Sequence, residues 1–349
     1  MLRAVGRQPD WTRQGNPRIA SSMSSRLVNT AHRSHEGHER RKLGTAKGFL
    51  RPALSVHWGE MMNRLALRHI LCPMDLSPLS INSLEWANAI ARVRNAELRA
   101  FHVAVTEGFD TPGSLDSSER GDMMLKLRDA LVTVDPENDL TGAAVRQGDP
   151  GTEILRFARS GPADVIVMGA AGAQRPTRPM GSVSAAVVTR SDCPVLVVPA
   201  GQRIDPSRAG VFKQILCAVD LAPSSISVIR QALSLAWETH GRVTCVCVMT
   251  ESSPSSSEIQ AELLAGIPPE AHAWCDIEVV VKQGVPATEI LKVAETSNVD
   301  VLLIGPPRQW TSTTQAVLAK SLCPVLITHD VRPLPYPTGK LANAASAPR

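Results

Sequence analysis

Three short stretches of the chain have the residue types and spacing to hold an anionic, hydroxyl-rich ligand. Pro73-Met74-Asp75 closes one aliphatic run, and Gly169-Ala170-Ala171-Gly172 closes another. After the eight residues Ala173 to Met180 comes Gly181-Ser182-Val183-Ser184, which opens a helical pattern. Glycine lets a backbone approach a phosphate closely. The first N–H groups of a helix have no intrahelical partner, and the helix dipole favours an anion there. The hydroxyls of Ser182 and Ser184 can donate to the same oxygens, and Asp75 can accept from an amine or a ribose hydroxyl. Each part also has a plainer use: a glycine after a strand turns the chain, and an aspartate before a helix caps it.

Other chemistries find little support. There is no GxxxxGK[ST], no HExxH, and no Ser-His-Asp set that falls at one sheet edge. His102 ends an aliphatic run near the presumed site and reads as a local hydrogen-bonding residue rather than a base. The seven cysteines are odd in number and several lie inside Val/Leu/Ile runs, which points to buried thiols in a reducing compartment. Cys245-Val-Cys247 fits strand alternation better than a metal site, and His32, His35 and His38 fit a solvated tail better.

These residues need elements to position them, and an internal repeat supplies the plan. Ile70-Leu71-Cys72-Pro73-Met74-Asp75 recurs as Ile215-Leu216-Cys217-Ala218-Val219-Asp220. Gln147-Gly148-Asp149-Pro150 with Thr152-Glu153-Ile154-Leu155 recurs as Gln283-Gly284-Val285-Pro286 with Thr288-Glu289-Ile290-Leu291. Asp164 to Gly169 matches Asp300 to Gly305, and Cys193-Pro194-Val195-Leu196-Val197 matches Cys323-Pro324-Val325-Leu326-Ile327. In the first copy, aliphatic runs at 69–74, 98–104, 143–147, 164–168 and 194–198 alternate with helical stripes such as Ile81, Leu84, Ala87, Ile90 and Ala91. Continuously aliphatic strands alternating with helices mean a doubly wound α/β domain with a parallel sheet. Ligands of such sheets bind beyond the carboxyl ends of the strands, where the strand order turns.

The flanks read differently. Residues 1–60 hold 11 Lys/Arg against 4 Asp/Glu, so the net charge of +4 belongs to this leader and not to the repeats. That argues against a nucleic-acid partner for the folded part. The leader reads as disordered and transit-peptide-like, with Met61 or Met62 an alternative start. No apolar run is long enough to span a membrane, and the start has no secretory h-region. The expected division is a basic extension over 1–64, a first domain over 65–200, a linker over 201–210, a second domain over 211–330 and a disordered tail over 331–349.

Both copies resemble universal stress protein domains, over about residues 65–330. In that family the nucleotide-binding members carry P-x-D after strand one and G-x2-G-x9-G-[ST] after strand four. The resemblance implies two tandem Rossmann-like domains of the adenine nucleotide alpha hydrolase-like kind, each with a parallel five-stranded sheet. It implies that Pro73, Asp75 and Val103 flank adenine and ribose, and that Met168 is among the ligand-binding residues. Gly169, Gly172, Gly181, Ser182, Val183 and Ser184 would hold ribose and phosphates. The implied ligand is ATP or another adenine nucleotide, with or without magnesium, in a cytoplasmic stress-response or signalling protein. Weak ATP hydrolysis and a scaffold with vestigial sites are the alternatives. The first copy departs in spacing, with eight residues where the family has nine, and Pro176 and Pro179 stiffen that segment. Arg175 and Arg178 in it are solvated or phosphate partners. The second copy departs further: Ala218 replaces the proline, Pro306-Pro307-Arg308 follows Gly305, and Thr311 stands for Gly181. It is expected to bind no nucleotide in the family's manner. The family's pairing of last strands implies that Pro194–Val198 and Pro324–Thr328 pair within the chain, with a homodimer left open.

Overall fold

The computed structural model describes residues 67–105, 116–136, 141–161, 163–171, 180–199, 212–222, 224–249, 255–306 and 311–329. The extension, linker and tail expected from the sequence fall wholly outside the described residues, as do Gly172, Arg175, Pro176, Arg178, Pro179 and Arg308.

The first half runs β1 (His69–Met74), α1 (Pro78–Arg94), β2 (Glu97–Ala104), α2 (Ser117–Val134), β3 (Thr141–Gln147), α3 (Pro150–Ser160), β4 (Val165–Gly169), α4 (Ser182–Arg190) and β5 (Val195–Val198). The second runs β6 (Gln214–Val219), α5 (Ser225–Thr239), β7 (Arg242–Met249), α6 (Ser256–Ala265), a 3-10 turn (Pro269–Ala273), β8 (Asp276–Gln283), α7 (Pro286–Thr296), β9 (Val301–Ile304), α8 (Ser312–Lys320) and β10 (Val325–Ile327).

The helices start and stop where local chemistry demands. The Ser77 side chain caps α1 by accepting from Ser80 N at 3.3 Å, with Pro78 in the first turn. Asn95 ends that helix in the left-handed region at φ 49, and His240 does the same for α5 at φ 48. Asp149 caps α3, and the Thr152 hydroxyl and N–H hold its carboxyl below the usual range.

Two of the repeated sequence blocks serve the architecture. Asp164 Oδ2 accepts from the backbone N–H of Arg68 (2.7 Å) and His69 (2.8 Å), tying the approach to β4 to the start of β1. Asp300 Oδ2 repeats the tie with Lys213 and Gln214 at 2.9 and 2.8 Å. Gly148 and Gly284 both sit at φ +143, where a side chain is strained.

The strands form one sheet in the order β3-β2-β1-β4-β5-β10-β9-β6-β7-β8. All neighbours are parallel except β5 and β10, whose antiparallel register pairs Val195 with Ile327, Leu196 with Leu326 and Val197 with Val325. The sequence implied two five-stranded sheets with pairing through the last strands, and that pairing fuses them into a single ten-stranded sheet. The physical reason is that β5 and β10 are wholly buried aliphatic strands, whose unpaired backbone groups would otherwise be left without partners.

Each sheet face carries one apolar layer that crosses the seam. One layer joins Leu84, Ile90 and Leu127 to Ile229, Leu233 and Ile259. The other joins Ile154, Val187 and Val195 to Ile290, Val317 and Val325. Within each half the chain winds from β1 out to its third strand, then crosses back to its fourth beside the first. The gap between β1 and β4 is therefore a topological switch point.

Candidate functional site

β1 and β4 end side by side, and β2 ends beside β1, with Met74 in register with His102. Beyond these ends lies a cavity of about 640 Å³. Pro73, Asp75, Val103, Met168, Gly169, Gly181, Ser182, Val183 and Ser184 all line it. They are the residues singled out in the sequence, with the exception of Gly172, which lies outside the described residues.

One end of the cavity is built by β4 and α4. Gly181 N–H donates to Ala170 O at 2.8 Å, which sets the first turn of α4 against the end of β4. Gly181 is the N-cap and, having no side chain, supplies no capping bond. The N–H groups of Ser182, Val183 and Ser184 therefore begin the helix without a side-chain cap. The Ser184 hydroxyl differs from the sequence expectation: it donates to Gly169 O at 2.8 Å and is nearly buried. Its single hydrogen thus braces the β4 end instead of pointing at a ligand. Ser182, exposed at the helix start, keeps that capacity. A side chain at Gly169 would meet Ser83 Oγ at 3.3 Å and Ala171 O at 3.4 Å, so the backbone comes close here for want of a Cβ.

The other end is built by β1, β2 and their flanking helices. Leu76 adopts φ 62, an unusual left-handed conformation for leucine, in the turn after Asp75. That turn lets Asp75 Oδ1 accept from Ser77 N at 3.1 Å and from the Ser77 hydroxyl at 2.5 Å. Asp75 therefore supports the capping residue of α1 and also lines the cavity. His102 Nδ1 lies 2.8 Å from Met74 O, the local hydrogen bond expected of it. Phe101 is fully buried and stacks on Phe157 with centroids 4.4 Å apart, forming a rigid floor. Phe101, Met123 and Ile154 are wall residues that sequence reasoning did not single out. Their only signal was membership of aliphatic or helical stripes, which is also the signal of an ordinary core residue. Val105, 65% exposed, stands at the rim.

The second half repeats the frame and alters the site. Asp220 Oδ1 accepts from the Ser225 hydroxyl (2.7 Å) and Ala222 N (3.0 Å). Cys247 holds the register position of His102, opposite Val219. At the start of α8, the Thr311 side chain accepts from Thr314 N at 3.2 Å. The helix end that is open in the first half is closed here.

A strand order of this kind, repeated twice, with the P-x-D and glycine stretches at the switch point, matches one family. The universal stress protein family model covers residues 66–199 and again 212–329. The chain belongs to the universal stress protein family. It carries the family domain in tandem. A universal stress protein of Methanocaldococcus jannaschii is 33% identical over 138 residues, covering 38% of this chain and 81% of the relative. The crystal structure of a universal stress protein from Archaeoglobus fulgidus DSM 4304 shares the fold, with a TM-score of 0.59 and 21% identity over 75% of this chain and 96% of its own. Another universal stress protein of Archaeoglobus fulgidus, solved in complex with dAMP, is 20% identical over 38% of this chain and 98% of its own, with a TM-score of 0.30.

Among the described residues, no group of three or more His, Cys, Asp or Glu side chains could hold a metal ion. No described helix is long and apolar enough to cross a membrane.

Proposed function

We propose that the first domain binds an adenine nucleotide, ATP or a lower phosphate, and that the chain acts as a nucleotide-responsive stress or signalling module. The observation that carries this reading is the side-chain-uncapped N-terminus of α4, which borders the cavity. Backbone N–H groups and the positive end of the helix dipole are a ready anion site. The cavity volume suits a small molecule of nucleotide size. Phosphates would lie against Gly169, Gly181, Ser182 and the N–H of Val183 and Ser184. Adenine and ribose would occupy the end lined by Pro73, Asp75, Val103 and Met168. Magnesium, where present, would ride on the phosphates. The second domain, self-capped by Thr311, completes the sheet and binds no nucleotide in this way.

A scaffold with no ligand is the second reading, and the Ser184 hydroxyl turned onto Gly169 O favours it. A thermal-shift series with ATP, ADP, AMP and cyclic AMP separates the two. A nucleotide at about a hundred times its Kd stabilises by about 2.7 kcal/mol. Stabilisation of the wild type, reduced in Asp75→Ala, supports binding. The absence of any shift at millimolar nucleotide overturns it in favour of the scaffold. Phosphate release from the same ATP samples reads weak hydrolysis directly.

A further inference from the structure

β8 is the last strand of the sheet, and among the described residues no strand pairs with its outer side. Such an edge presents a row of N–H and C=O groups ready to pair with another chain. Which of them face outward follows from the repeat. Gly148 N–H donates to Ala104 O, so the even-numbered positions of β3 turn towards β2. β7 and β8 keep the same register, with Met249 against Gln283 as Ala104 is against Gln147, and Gly284 repeats the backbone of Gly148. The odd-numbered positions of β8 therefore direct their backbone groups outward. A long contact from Gln260 Nε2 of α6 to Val279 O, at 3.5 Å, agrees with this.

The side chains along this edge are self-complementary. Glu278-Val279-Val280-Val281-Lys282 reads acid, three valines, base. Glu278 and Lys282 are exposed, and Val280 between them is half-buried. Strand alternation puts these three on one face of β8. Ile277, Val279 and Val281 lie on the other, against an apolar layer that spans the seam. An antiparallel copy centred on Val280 sets Glu278 opposite Lys282 twice and Val280 opposite itself. It also sets Val279 opposite Val281, at the outward-facing positions that exchange backbone hydrogen bonds in such a pair. No like charges face each other in this register. β3, the other edge, lacks the pattern: Arg146 stands where Lys282 stands, but Gly142 takes the place of Glu278.

We propose that β8 is a homodimer interface. Two copies of this chain join their β8 edges antiparallel across a two-fold axis at Val280, so that one ten-stranded sheet continues into the next. An interface that pairs one surface with itself closes, and association stops at two. The pairing requires no nucleotide.

Sedimentation equilibrium of the full chain, from micromolar to submillimolar concentration, tests it. Wild type should reach twice the 37.5 kDa of one chain. Glu278→Lys and Lys282→Glu should each weaken the dimer about tenfold or more, because two attractive cross-strand pairs become two repulsive ones. The double variant carrying both changes should restore it. Both residues are exposed, so thermal melts of the three variants should match wild type and show the fold intact. Val280→Cys should link to itself between chains on oxidation with diamide, since residues opposed at such a position have Cα atoms about 4.5 Å apart. Glu278→Cys, displaced from the axis, should not.

A wild type that stays monomeric across this range overturns the proposal. So does a dimer indifferent to either charge reversal, or a double variant no tighter than the single ones. Open-ended polymers, the product of β8 pairing with β3 of the next copy, overturn it too.

Discussion

Thr311 closes the N-terminus of α8 with its own side chain, whereas Gly181, at the equivalent position of the first half, leaves that of α4 without a side-chain cap. The two helices have the same length and both follow the fourth strand of their half. One substitution thus separates a helix end without a side-chain cap from a self-satisfied one. Gly181→Thr should copy the closed state. Its φ of −76 is accessible to threonine, so the fold should survive with a change in stability of under about 1 kcal/mol. Nucleotide stabilisation of the first domain should disappear. A Gly181→Thr protein that keeps its full nucleotide shift in thermal denaturation would show that the uncapped helix end is not the phosphate site.

Asp164 and Asp300 should be equally important to stability, because each bridges two backbone N–H groups at the head of its sheet half. Either residue changed to Ala leaves two donors without their carboxylate, at a cost of about 1–3 kcal/mol. Urea denaturation reads the loss. A neutral outcome at both positions would mean that water replaces the carboxylate without penalty.

Gly148 and Gly284 should resist replacement for two reasons that add. Both lie at φ +143, and a Cβ there would meet Glu153 Cγ at 3.1 Å and Glu289 Cγ at 3.3 Å respectively. Gly148→Ala and Gly284→Ala should each destabilise by about 1–3 kcal/mol in thermal or urea melts. Gly121, exposed in α2 with nothing near its missing side chain, should instead gain up to about 1 kcal/mol as Ala.

The seam between the halves depends on six aliphatic residues in register, with Leu196 facing Leu326. Leu326→Glu places a charge in a layer shared by both domains. The expected loss exceeds about 3 kcal/mol. Limited proteolysis should then release the two halves as separate fragments. An intact protease-resistant core in this variant would mean that the helical layers hold the halves without β5 and β10.

The thiols should be quiet. Burial pushes Cys193 up to about 11 and Cys275 up to about 11, and drives Cys72 further in the same direction. Raised values leave little thiolate at pH 8, and reactivity climbs only as pH approaches them. Ellman titration of the native protein at pH 8 should find slow reaction led by Cys193, which is less buried than the other cysteines. All seven should react in guanidinium chloride. Rapid reaction of several thiols in the native state would show that the second domain opens readily.

Much of the fold was legible along the chain. The Ile70–Asp75 and Ile215–Asp220 blocks, with their aliphatic neighbours, mark strands because a parallel strand is buried on both faces and must be apolar throughout. Ser77-Pro78 marks the start of α1 because capping is decided within four residues. The glycine stretch and Gly181-Ser182 pointed to an anion site for the same local reason. What the sequence could not separate was site from brace. Ser182 and Ser184 look alike in one dimension, yet Ser184 spends its hydrogen on Gly169 O, fifteen positions away. Met123 and Ile154 read as core residues, because a wall residue of an apolar cavity obeys the same periodicity as one facing a helix.

The sequence by itself determined the tandem repeat, the doubly wound halves and the asymmetry between Gly181 and Thr311, since all three follow from local pattern and from residue chemistry. Only the tertiary structure decided the antiparallel register in which β5 and β10 meet, that His102 is held by Met74 O, and that the Ser184 hydroxyl braces Gly169 O. Those outcomes hang on which hydrogen-bonding groups meet across long separations, and on the rule that each buried donor and acceptor must find a partner.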